Sequence, residues 1–202
     1  MQKKRVRLTA EESKDRIVTA AIELIATKGF LETSFQMIAD KCGISQSAVM
    51  HHFKNKEELV EGVLKQLLQH NHSLVAASIR QEDDARTRLI KHFSGNLTWA
   101  IRYEHEAQML LLLYYFASYH PHFAGIYSEI LKNARLRIRE HILAGVRERL
   151  FPANLNADET AEQMHDALLG SFVNYLAIRK AGRKPKHPND KWEKLIKFYE
   201  AS

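Results

Sequence analysis

Only four prolines occur in this chain, Pro121, Pro152, Pro185 and Pro188, so nothing before residue 121 forces a helix to stop. Between them the apolar residues recur three and four positions apart rather than alternating, as in Ile17, Ala20, Ala21, Leu24 and Ile25. That period buries one face of a helix and leaves a strand half wrong, so the spacing predicts an all-α chain. With 202 residues, 45% of them hydrophobic and 27% charged, there is enough apolar surface for a sizeable core.

Caps divide the helical pattern. Thr9-Ala10-Glu11-Glu12 reads as a capping box opening a helix that stops at Lys28-Gly29. Thr33-Ser34-Phe35-Gln36 reads as a second box, with Phe35, Ile38, Ala39 and Cys42 at helical spacing behind it. Gly43 suits a tight turn, and Ser45 caps a short third helix through Phe53. Asn55-Lys56-Glu57-Glu58 opens a fourth, with Val60, Val63, Leu64, Leu67, Leu74 and Val75 on its buried side. Longer helices are expected over 83–103, 104–118, 121–150 and 158–180, and a short one over 190–200. Gly182–Asn189, with two prolines and four basic residues counting His187, reads as a loop.

The net charge of +6 favours polyanions, but its distribution is uneven. Lys3, Lys4, Arg5 and Arg7 crowd an N-terminal arm, and Arg179, Lys180, Arg183, Lys184 and Lys186 crowd a stretch near the other end. Ten basic and eight acidic residues give the first sixty only +2, so binding to nucleic acid would rest on placed contacts and the arm. A single cysteine, Cys42, excludes an internal disulfide. Glu11, Glu12 and Asp15 stand where a signal peptide needs its apolar stretch, and the apolar run from Met109 to Ala117 is too short to span a bilayer. A cytoplasmic location is expected, without membrane contact.

Two short helices joined by a glycine turn, the second capped by serine, make a helix-turn-helix. Ile38, Ala39, Ile44 and Val49 would form its small core, while Gln46, Ser47 and Ala48 face outward from the first turn of the second helix. The run from Thr33 through Gly43-Ile44-Ser45-Gln46-Ser47-Ala48-Val49 to His51-His52-Phe53-Lys54-Asn55-Lys56 resembles the DNA-binding signature of the TetR (tetracycline-repressor-like) family. Ile17 to Ile25, with Lys28-Gly29-Phe30, resembles that family's first helix. Ser47 stands where the family often has glycine, Met50 where an aromatic is usual, and Cys42 where a small residue is usual.

The resemblance implies an N-terminal three-helix DNA-binding domain over 1–55 and a larger helical ligand-binding and dimerisation domain over 56–202. Position by position, it makes Thr33, Ser45, His51 and Lys56 phosphate contacts and sets Gln46, Ser47 and Ala48 against bases. Glutamine matches the N6/N7 edge of adenine, and an alanine methyl packs on a thymine methyl. The family's ligand pocket lies among its middle helices, which points to Trp99, Met109, Leu113, Tyr114, Phe116 and Tyr119 and to a largely apolar small-molecule effector.

The stretch 158–180 is apolar nearly all round, which a helix with one buried stripe does not need. Met164, Leu168, Leu169, Phe172 and Leu176 are therefore expected at a two-fold interface of a homodimer, as a reader of palindromic double-stranded DNA requires. The function expected is a ligand-responsive transcription regulator, a repressor, with no cofactor and no catalytic residues. The alternative is a helical small-molecule or metal-dependent enzyme with a fortuitous helix-turn-helix. His105, His120 and His122 and the His165-Asp166 dipeptide speak for it, but no carboxylate or thiolate set joins them at ligand spacing, and no metal site is expected.

Overall fold

A computed structural model describes residues 9–183 and 188–200, with the side chains of 188 and 189 left aside. The N-terminal basic arm, Lys184 and Lys186 lie outside the described residues. Those residues form nine helices and no strand. They pack as two compact units, residues 1–70 and 71–202, and the division falls inside one helix.

The first unit holds α1 (Ala10–Lys28), α2 (Phe35–Cys42), α3 (Gln46–His52) and the start of α4 (Lys56–Ser78). The Thr9 hydroxyl accepts from the Glu12 N–H while the Glu12 carboxylate accepts from the Thr9 N–H at 2.7 Å, completing the expected capping box. The second start differs from expectation by one residue. Ser34, not Thr33, caps α2, its oxygen accepting from the Met37 N–H. Thr33 instead donates its hydroxyl to the Gly29 carbonyl at 2.8 Å, closing the turn after α1. Gly43, at φ 64° and ψ 36°, ends α2 in the left-handed region, where a side chain would be strained. Ile17, Ala21, Ile38, Ala39, Val49 and Phe53 are buried and make the small core of this unit. Gly62 lets it close: a Cβ there would stand 2.7 Å from the Phe53 ring.

The second unit contains α5 (Ala85–Arg102), α6 (Glu104–Ala117), α7 (Pro121–Arg147), α8 (Ala157–Lys180) and α9 (Pro188–Lys197). Its layers are α7 against α8, α5 and α6, with α9 laid on α5. Trp192 of α9 is fully buried and stacks on Phe93 at 4.5 Å. The helix expected to run to residue 150 stops at Arg147, because Gly145 receives the chain folding back over it. The N–H groups of Leu150 and Phe151 both donate to the Gly145 carbonyl, and the Phe151 ring occupies the space a Cβ would need. Arg149 turns the corner at φ 62°, a strained conformation for a residue with a side chain.

Helix α8 sorts its residues by side. Ala161, Met164, Leu168, Phe172 and Leu176 are buried. Gly170, Val173, Ala177 and Ile178 lie on the exposed side. Met164, Leu168, Phe172 and Leu176, expected at an interface between copies, thus pack into the chain's own core, while Leu169 is half-buried.

Candidate nucleic-acid interface

The turn from α2 into α3 gives the first unit its reading edge. The Gly43 N–H is held by the Ala39 and Asp40 carbonyls, and the Ile44 N–H by Ala39, so α3 starts from a fixed corner. Ser45 caps α3 by accepting from the Ala48 N–H at 3.2 Å and shares a hydrogen bond of 2.9 Å with the Ser47 hydroxyl. Val49 and Phe53 turn inward and are buried. The opposite side then carries Gln46, Ser47, Met50 and His51, all exposed, with Ala48 half-buried beside them. Gln46, Ser47 and His51 make this side polar, with Met50 and Ala48 apolar beside them, and their side chains are suited to base edges and phosphates.

Behind it the unit is braced. An Arg16 guanidinium N–H donates to the Cys42 carbonyl at 3.0 Å, and the Cys42 thiol lies 3.6 Å from the Arg16 carbonyl. Burial pushes that thiol's pKa up, outweighing Arg16 and Lys41 nearby. Asn55 accepts from the Glu58 N–H and Glu58 from the Lys54 N–H, which fixes the start of α4.

Of the seven residues expected at DNA, Ser45, Gln46, Ser47, Ala48 and His51 lie together on or beside α3. Thr33 does not join them: it is 3% exposed and its hydroxyl faces the Gly29 carbonyl. Ser34 is the exposed hydroxyl at the start of α2, a candidate phosphate contact that the sequence reading passed over. Lys56 is half-buried, its ammonium donating to the carbonyls of Phe30 and Leu31 at 3.2 Å each and lying 5.1 Å from the Phe30 ring centre. Two of its three N–H groups are thereby engaged within the protein.

In the second unit a cavity of about 210 Å³ lies where α4 meets α5, bordered by Leu74, Ser78, Gly95, Trp99, Arg102 and Tyr103 among others. Trp99 alone of the six expected pocket residues borders it. Met109, Leu113 and Phe116 are buried in the helix core, Phe116 stacking on Phe123 at 5.3 Å. The half-buried Tyr114 meets Tyr127 edge to face at 5.2 Å, and Tyr119 is 59% exposed. Gly95 and Thr98, which border the cavity, carry no sequence mark; only the close approach of Val75 and Ser78 to Gly95 reveals the role. Among the described residues, no three His, Cys, Asp or Glu side chains stand together as a metal set. No helix among them is long and apolar enough to cross a membrane.

Residues 17–63 match the model of the tetR family of bacterial regulatory proteins. An uncharacterized HTH-type transcriptional regulator, YerO of Bacillus subtilis, is 51% identical over 49 residues, which are 24% of this chain and 17% of that one. The HTH-type transcriptional repressor KstR2 of Mycolicibacterium smegmatis is 38% identical over 55 residues, 27% of each chain. The matched stretch thus spans well under half of these relatives' own lengths. The fold extends further. A crystal structure of a transcriptional regulator from Saccharomonospora viridis, in complex with choline, superposes with a TM-score of 0.80 at 20% identity, over 95% of this chain and 100% of that one. The ketosteroid transcriptional regulator KstR2 of Mycobacterium tuberculosis does so at 0.65 and 20% identity, over 96% of both chains.

Proposed function

We propose, from the match of residues 17–63 to the tetR family of bacterial regulatory proteins, that the chain is a transcription regulator that reads double-stranded DNA through α3. The observation that carries this reading is the exposed set Gln46, Ser47 and His51 on a helix anchored by the Ser45 cap and the Gly43 turn. The helix presents these residues to the major groove, Gln46 against a base edge and Ser45, His51 and Ser34 against phosphates. Lys56 contributes its remaining N–H and its charge.

The regulator works as a homodimer on a palindromic operator, because one short helix reads too few bases for specificity. Val173, Ala177 and Ile178 on the exposed side of α8, with Gly170 allowing close approach, are the surface suited to a two-fold partner. The cavity beside Trp99 takes a small effector with an apolar body, its serine and threonine hydroxyls orienting it. An effector acts as an inducer only if it binds the DNA-free arrangement more tightly than the DNA-bound one.

The test is selection of binding sites from random duplexes and from DNA beside the protein's own gene, followed by gel shifts. A symmetric consensus with half-sites centred about 34–36 Å apart, or a multiple of that, supports the reading. Binding without sequence preference overturns it.

A further inference from the structure

The cavity beside Trp99 is apolar within and cationic at its mouth. Lys91, Gly95, Thr98 and Arg102 recur at spacings of three and four, so one stripe of α5 borders it, facing Leu74 and Ser78 of α4. Trp99 is 1% exposed, and its indole N–H donates to the Glu106 carboxylate at 2.8 Å, which leaves the ring as an apolar wall. The Ser78 and Ser94 hydroxyls donate to the Val75 and Lys91 carbonyls at 2.6 and 3.4 Å. Thr98 and Arg102, one helical turn apart, are exposed at the open side. At about 210 Å³ the cavity is small beside the ~300–1,000 Å³ of ordinary ligand sites, so a single ring or a short chain fills it.

Among the described residues, those that border the cavity include two cations and no carboxylate. The two cations differ. The Lys91 ammonium lies 2.8 and 2.6 Å from the two Asp83 carboxylate oxygens, so its charge is balanced. Arg102 forms no ion pair among the described residues, and its guanidinium lies over the Tyr103 ring, 5.6 Å from the centre. Glu104, the nearest acid along the chain, is held by Arg179 and Lys180 at 3.2 and 3.3 Å. Two aromatic rings alone would suit a quaternary ammonium. Here Arg102 already covers the Tyr103 face, and a further cation would meet its repulsion with no bordering carboxylate to offset it. One unbalanced guanidinium, with a hydroxyl one turn before it on the same helix, matches a carboxylate instead.

We propose that the cavity beside Trp99 binds a small amphipathic carboxylic acid, its apolar body against Leu74, Gly95 and Trp99 and its carboxylate between Arg102 and the Thr98 hydroxyl. That such an acid acts as the effector rests on the reading of the chain as a regulator. Its binding does not.

The test is isothermal titration of the full chain with 3-phenylpropionate and hexanoate. 3-Phenylpropanamide serves as the uncharged control, benzyltrimethylammonium as the cation, and inorganic phosphate as the anion without an apolar body. Because Arg102 is exposed, solvent screens its pair with a carboxylate, and 3-phenylpropionate is expected to bind about fivefold tighter than the amide. That advantage should shrink as salt is added, a series that tests the charge on the unaltered chain. Arg102→Gln should abolish the advantage and leave the amide's affinity unchanged. Arg102→Glu should invert the preference in favour of the ammonium, with circular dichroism establishing that both variants are folded. No binding by either acid, ammonium or phosphate binding as tight as the acid's, or an acid indifferent to both Arg102 variants overturns the proposal. Gel shifts without and then with 3-phenylpropionate keep the two readings apart. Failure to bind DNA removes the regulator and leaves the site, whereas an acid that binds but leaves the DNA complex intact removes only the effector role.

Discussion

The Lys56 ammonium is bound to the carbonyl oxygens of Phe30 and Leu31, 3.2 Å from each, so the residue proposed to meet a phosphate also ties the start of α4 to the turn after α1. Lys56→Met should therefore act twice. Charged hydrogen bonds of this kind contribute about 1–3 kcal/mol, which denaturant unfolding followed in the N-terminal unit would reveal. Affinity for all DNA sequences should fall alike, and the salt dependence should flatten by about one released counterion. A loss of stability with an unchanged salt slope would leave Lys56 a purely structural clamp.

Gln46 is exposed one residue after the Ser45 cap, in the first turn of α3. Gln46→Ala should cost about 1–3 kcal/mol of discrimination at one base pair in each half-site. Binding to random DNA should stay nearly constant. Site selection on both proteins measures this, and the relaxed positions should form a symmetric pair.

Two neighbouring residues of α8 separate assembly from folding. Val173 is 48% exposed, whereas Phe172 is 5% exposed and meets Trp99 edge to face at 6.2 Å. Val173→Arg should yield a folded monomer, because the charge enters only the proposed contact between copies. Phe172→Arg should unfold the second unit by burying an unpaired charge. Light scattering and circular dichroism distinguish the two; a Val173→Arg protein that remains dimeric would move the interface off this side of α8.

Stability should fall as the solution is acidified. Burial, reinforced by His141 and Arg137, takes His92 down to about 3 from an ordinary value near 6.5. The unfolded chain then binds a proton between those pH values that the folded chain refuses, so unfolding becomes easier by up to about 1.4 kcal/mol per pH unit for that residue. The same sign holds for His141 and His165, also depressed mainly by burial. Melting temperature should be level above neutrality and drop from pH 6.5 downward. His92→Phe should make the drop shallower.

What the sequence disclosed was local. The Thr9–Glu12 box, the Gly43 turn and the Ser45 cap each depend on residues three or four apart, so their chemistry can be read without knowing the fold. Ser34 and Thr33 are both good caps, and the choice between them was made by the Gly29 carbonyl, which claims the Thr33 hydroxyl. The side of α8 that faces outward was hidden because both sides are apolar, and only packing against α7 selects one. Large side chains on α6 suggested a ligand lining; Leu113 and Phe116 are buried in the core, and the cavity beside Trp99 is bordered by residues of α4 and α5, which no spacing along the chain joins.

Cys42 is 8% exposed, its thiol is held near the Arg16 carbonyl, and burial disfavours the thiolate that alkylating reagents attack. The protein's one cysteine is thus a clock for the opening of its reading head. Modification of Cys42 requires α1 and α2 to part, so the rate at which a small maleimide consumes the thiol counts those openings. DNA that clamps the head should slow the clock, and an effector acting only through the second unit should leave its intrinsic rate unchanged. Any second cysteine introduced on an exposed helix would react long before it, and so would carry a fluorophore cleanly.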